Sequence, residues 1–145
     1  MWLAINSKAK MEDPQLDVEK VVQYWLTTAA DDLIAAEHLF QSGDYTHALF
    51  FAHLYLEKVL KAQVVQVTGE HAPISHNLRY LSGKGGLALN AEQLAFLARV
   101  TEYAIKTRYP DMERQFKRQC TQEFCAVELK EIKEFGTWVE KMITS

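Results

Sequence analysis

The sequence predicts an all-α fold, an antiparallel up-and-down bundle of four main helices plus one short helix. Three observations lead there. Only six glycines and three prolines occur in 145 residues, which leaves long stretches without a breaker. Over several of those stretches apolar residues recur at the three-four spacing of a helix with one buried stripe. With 48% hydrophobic and 24% charged residues, the chain can build one packed core and has neither a disordered nor a fibrous composition.

Residues 1–16 show no clear period and are expected to form an N-terminal arm, with Trp2 and Leu3 free to pack elsewhere; 17–145 is expected to be a single helical domain. From Asp17 onward, Val18, Val21, Val22, Trp25, Leu26, Ala29, Leu33, Ala36, Leu39 and Phe40 mark the stripe of the first helix, and Gly43 suits its C-terminal cap. Asp44 can cap a second helix that meets no Gly or Pro before Gly69. At ~1.5 Å per residue that helix is a rod of roughly 38 Å, and the short link makes it an antiparallel neighbour of the first. Leu49, Phe50, Phe51 and Leu54, then Val64, Val65 and Val67, make it apolar on most sides, so it should be the central element.

Ser75 reads as the N-cap of a short helix with Leu78 and Leu81 inward, followed by a glycine loop at 83, 85 and 86. That loop lacks the preceding strand and the spacing of a phosphate-cradling P-loop. Asn90 caps the next helix, through Leu94, Leu97, Ala98, Val100, Tyr103 and Ala104 to Lys106. Pro110 has no amide hydrogen and disfavours helical dihedrals at Tyr109, so the chain breaks there. A last helix runs from about 121 to 143 with Phe124, Val127, Leu129, Ile132, Phe135, Trp138, Val139 and Ile143.

A formal net charge of −3 gives no general attraction to duplex DNA or anionic lipid. Locally, Lys106, Arg108, Arg114, Lys117 and Arg118 outnumber Asp111 and Glu113. Cys120 and Cys125 have no second pair or histidine partners at zinc spacing, so neither a disulfide framework nor a metal site is expected. The Met-Trp-Leu-Ala-Ile start is too short for a signal core, and no apolar run approaches the ~18 residues of a membrane span. A cytoplasmic protein is the expectation.

His53, Glu57 and Lys61 recur every fourth residue on one stripe of the most apolar helix, with Lys58 a quarter turn away. An exposed Glu57–Lys61 pair would contribute only ~0.2–0.5 kcal/mol. Burial without partners would cost far more, so these groups must be partnered or functional. Asp32 lies near the apolar stripe of the first helix and should meet a cation, with Lys58 and Arg108 as candidates. His38 and His47 read as surface residues, and His76 as a helix-start residue with local hydrogen bonds. No HExxH, GxSxG or helical His pair is present, so no catalytic residue is assigned.

The segments AADDLIAAEHLF, GDYTHALFFAHLYLEKVLKA, HNLRYL and RYPD, in this order and spacing, resemble the HEPN family (higher eukaryotes and prokaryotes nucleotide-binding) over about Val18 to Ile143. The resemblance implies a helical bundle that commonly forms homodimers, often beside a minimal nucleotidyltransferase. It also implies one of two roles. Some members are metal-independent endoribonuclease toxins that use an Arg followed after four to six residues by His; others bind nucleotide or substrate for the transferase. Arg108 is followed at the required positions by Glu113, Arg114 and Gln115, and none can replace a histidine as a base near neutrality. The expectation is therefore a non-catalytic nucleotide- or RNA-binding module, with no cofactor, in a toxin-antitoxin-like pair; the ribonuclease with a departed motif is the alternative. Lys58, Lys61, Arg108 and Tyr109 would bind the anion and base, and Asp32, His53, Glu57, His76 and Asp111 would support them. Asp111 is expected to cap the restart after Pro110. A purely structural role, with Arg108 paired to Asp32 or Glu57 and Tyr109 in the core, stands beside it.

Overall fold

In a computed structural model, residues 16–144 are described; the predicted arm, with Trp2 and Leu3, lies outside them apart from Leu16, which packs against the core. Six helices occur among the described residues: α1 (Val18–Gln41), α2 (Tyr45–Thr68), α3 (Leu78–Lys84), α4 (Ala91–Lys106), α5 (Pro110–Gln119) and α6 (Gln122–Thr144). This is the predicted all-α bundle with one further helix, α5.

Caps explain the boundaries. Asp17 accepts from the Lys20 amide at 3.1 Å to start α1, and Gly43, at φ 82°, makes the left-handed turn out of it. Asp44 holds the N-cap position of α2 without capping it; its carboxylate pairs with His47 Nδ1 at 2.7 Å instead. Asn77, not Ser75, caps α3 by accepting from the Tyr80 amide at 3.2 Å. Ser75 serves one step earlier, its Oγ accepting from the Asn77 amide at 3.1 Å. Asn90 and Gln93 form a reciprocal capping box on α4.

α5 corrects the reading of Asp111. Proline belongs at the first helical position, where its fixed φ is already helical and its missing N–H is not needed. Pro110 takes that place, so Tyr109, in extended backbone, becomes the N-cap residue and Asp111 falls into the first turn. Asp111 and Glu113 there, with Lys117 and Arg118 in the last turn, complement the helix dipole. Phe116 anchors the helix by stacking on Tyr103 at 5.2 Å between centroids.

α2 is the central element: it packs against α1, α3, α4, α5 and α6, and its buried apolar side chains run from Ala48 to Val65. One cluster unites residues of all six helices. At Gly136 of α6 a Cβ would drive into the phenol ring of buried Tyr55, so only glycine lets α2 and α6 close at this point. The Tyr55 hydroxyl donates to Glu140 at 3.2 Å. α4 and α6 both lean on α2 while their backbones stay apart. Arg99 bridges the gap, donating through Nε and Nη2 to Glu128 at 2.8 and 3.2 Å and through Nη2 to Glu131 at 3.1 Å. Val67, Val127 and Trp138, read from spacing as part of the apolar stripes, are exposed.

Candidate functional site

The stripe His53, Glu57, Lys61 faces inward. All three are buried, and the segment before α3 brings His76 against His53 and Glu57. Glu57 is the hub. Its Oε2 lies 3.2 Å from Lys61 Nζ, and its Oε1 accepts from His76 Nδ1 at 2.8 Å. The ammonium of Lys61 also sits over the Trp25 ring at 5.2 Å, so a cation almost removed from water is compensated on two sides.

His53 is fully buried. Its Nε2–H donates to the His76 carbonyl at 3.2 Å, while Nδ1 has no hydrogen-bond partner among the described residues. Burial holds its pKa below 6.5; the adjacent Glu57 charge and the bond to the His76 carbonyl oppose that shift, and the charges of His76 and Arg108 add to it. A histidine kept neutral in the native state makes stability pH-dependent. Below about pH 6.5 the unfolded chain takes up a proton that the folded chain refuses, so unfolding becomes easier as pH falls towards the lower native value. Urea midpoints between pH 7.5 and 5 are expected to fall less in a His53→Gln variant than in the parent; parallel profiles would exclude His53 as the source.

His76 differs from its sequence reading. It makes a long-range bond to Glu57 rather than local helix-start bonds. Its side chain is 54% exposed, and because Nδ1 is spent on Glu57, Nε2 is left for solvent or ligand. A buried carboxylate that fixes one imidazole nitrogen and frees the other is the arrangement general-base histidines use.

Lys58 and Asp32 form the second pair, joining α2 to α1 at 2.7 Å. The contact is ionic, with Asp32 Oδ2 buried and out of line for a directed hydrogen bond. Asp32 thus meets one of the two cations expected for it. The other, Arg108, pairs with neither Asp32 nor Glu57, and Tyr109 is 58% exposed rather than in the core. Asp32 and Glu57 are already engaged by Lys58, Lys61 and His76.

Glu57, Lys61, His53 and His76 therefore form one linked cluster on α2 and the segment before α3, the Lys58–Asp32 pair stands apart from it between α2 and α1, and Arg108, in the turn between α4 and α5, is near enough to act electrostatically on His53. Among the described residues Arg108 is the member of this group whose side-chain cation has no carboxylate partner. Asp111, expected to support it, sits exposed in the first turn of α5. Sequence reasoning placed His76 among the supporting residues but missed its bond to Glu57, because a 19-residue separation has no periodic signature. Among the described residues no group of three or more His, Cys, Asp or Glu could hold a metal. The thiols of Cys120 and Cys125 are free and buried, each pushed up to about 12 chiefly by burial, which leaves them unreactive as nucleophiles. No described helix is long and apolar enough to cross a membrane.

A family model described as "HEPN domain" matches residues 22–142. No curated protein and no solved structure matches the chain.

Proposed function

The chain belongs to the HEPN family, a nucleotide- and RNA-related module, and from that premise we propose that it binds nucleotide or RNA at Arg108 and Tyr109 without cleaving it. The observation that carries the reading is the exposed guanidinium of Arg108, which has no carboxylate partner among the described residues, whereas Lys58 and Lys61 are already neutralised. Guanidinium matches a phosphate with two parallel N–H donors, and the exposed Tyr109 ring can stack on a base. Arg114, Lys117 and Arg118 are exposed on α5 and would follow a strand onward from there. Lys61 acts from behind, its pair with Glu57 fixing the floor under His53 and His76, and Lys58 pairs with Asp32 between α2 and α1. The proposed setting is a cytoplasmic homodimer that presents its ligand to a minimal nucleotidyltransferase in a toxin-antitoxin-like pair.

Fluorescence anisotropy with a labelled single-stranded RNA and with a labelled ATP analogue tests this. Arg108→Ala should weaken binding by about 1.5–3 kcal/mol, the range for a hydrogen bond to a charged group, which is roughly tenfold to a hundredfold. Its urea midpoint at neutral pH should stay put, because among the described residues the side chain makes no ion pair. Unchanged affinity would remove Arg108 from the site.

One observation favours a second reading, the metal-independent endoribonuclease. The histidine missing four to six residues after Arg108 has a substitute in the Glu57–His76 dyad. In that reading His76 Nε2 takes the ribose 2′-hydroxyl proton as the 2′-oxygen attacks phosphorus. The bond to the 5′-oxygen breaks, that oxygen takes a proton from water, and a 2′,3′-cyclic phosphate remains. Cleavage of total RNA in a chelator, lost in His76→Ala, would establish this reading over the first; intact RNA would retire it.

A further inference from the structure

Because α4 and α6 share α2 as a neighbour while their backbones stay apart, a groove of 540 Å³ opens between them. That is within the usual range for small-molecule sites, about 300–1,000 Å³. Its floor is aromatic. Phe96 and Phe135 are buried with centroids 5.8 Å apart, and Trp138 continues the row edge-on at 5.5 Å from Phe135 with 41% of its surface exposed.

The rim is acidic: Glu92 comes from α4, and Glu131 and Glu134 from α6. Arg99 is the cation in the lining, and it is consumed by Glu128 and Glu131. Glu92 and Glu134 have no ion-pair partner among the described residues. The floor already receives a cation from within the chain, since the Arg99 guanidinium lies over the Phe96 ring at 5.3 Å. Among the described residues the Phe135 and Trp138 end of the row has no such occupant; Lys133 and Lys141 share a neighbouring depression with Glu134 and Trp138 but neither forms an ion pair with Glu134.

We propose that this groove binds a linear aliphatic polyamine, its methylenes across Phe135 and Trp138 and its ammonium groups at Glu92 and Glu134. The lining selects that chemistry by elimination. An anion would be repelled by the rim, and an uncharged apolar ligand would leave the two carboxylates to be desolvated without return. A compact metal cation would use the acids but gain nothing from the rings. A flexible chain with separated charges satisfies both surfaces at once. This site is separate from Arg108 and does not rest on the nucleotide reading.

Isothermal titration of the full chain with spermidine at fixed ionic strength tests the proposal. One saturable site per chain is expected, weakened at least tenfold in Glu92→Gln/Glu134→Gln and in Trp138→Ala. All three positions are exposed, so the variants should fold as the parent does. Magnesium chloride should give no comparable isotherm. Equal binding of magnesium, an acid-to-amide variant that titrates like the parent, or no saturable heat with spermidine would each overturn it.

Discussion

Glu57→Ala is expected to lower the unfolding free energy by about 3–5 kcal/mol, the range for removing one partner of a buried ion pair. The size follows from what the carboxylate leaves behind. Lys61 would remain buried with only the Trp25 ring for compensation, and His76 Nδ1 would lose its acceptor, releasing the segment before α3. The effect belongs to the network rather than to Glu57 alone. Glu57→Ala combined with Lys61→Met should therefore cost less than the two single changes added together, because the second removes the stranded charge. Urea unfolding of the four proteins reads this directly. Additive losses would mean that Lys61 finds water in the variant and that the patch is looser than its burial indicates. The same variant should also release His76, so its ligand affinity reports whether the fixed imidazole contributes to binding.

How much of this was legible in the sequence follows the range of the interactions. Helices α1, α2, α4 and α6 came from apolar periodicity, and their ends from Asp17, Gly43 and Asn90, because caps and stripes are local and repeat within one turn of helix. α5 escaped notice since a single buried Phe116 in ten residues leaves no stripe to read. The break at Pro110 was expected to restart from an Asp111 cap, whereas Pro110 itself takes the first helical position. Polar groups in the apolar face of α2 pointed correctly to partners for Glu57, and Lys61 is one, four residues on. The other, His76, depends on how the segment 69–77 folds back, and no spacing rule encodes that. Likewise Arg99 has no periodic partner, and its meaning lies in two acids about thirty residues away on another helix. What the sequence could not supply was the sorting of cations into paired and unpaired, which decides where a ligand phosphate could go.

Glu128→Ala should destabilise the bundle by a further distinct route, by about 2–4 kcal/mol, from one stranded buried donor and lost bonds to a charged group. Glu128 is buried and accepts from Arg99 twice and from the Tyr103 hydroxyl, tying α4 to α6 where their backbones stay apart. Loss of the acceptor strands the phenol of Tyr103, itself buried, at about 1–3 kcal/mol for an unsatisfied polar group. Arg99 adds less, since it is partly exposed and keeps Glu131, so its charge is not left in an apolar interior. Glu128→Gln keeps an acceptor for Tyr103 and should cost clearly less than the alanine. Alkaline unfolding gives a separate reading of the same contact. Burial, then the bond to and charge of Glu128, raise the Tyr103 pKa far above its ordinary 10. Above pH 10 the unfolded chain therefore releases a proton that the native chain keeps, and stability falls as pH rises. Tyr103→Phe removes that group and should flatten the alkaline limb relative to the parent, leaving the share due to Tyr55, whose pKa burial also raises. If Glu128→Ala and Glu128→Gln cost the same, charge holds α4 to α6 and the Tyr103 hydrogen bond contributes nothing to that junction.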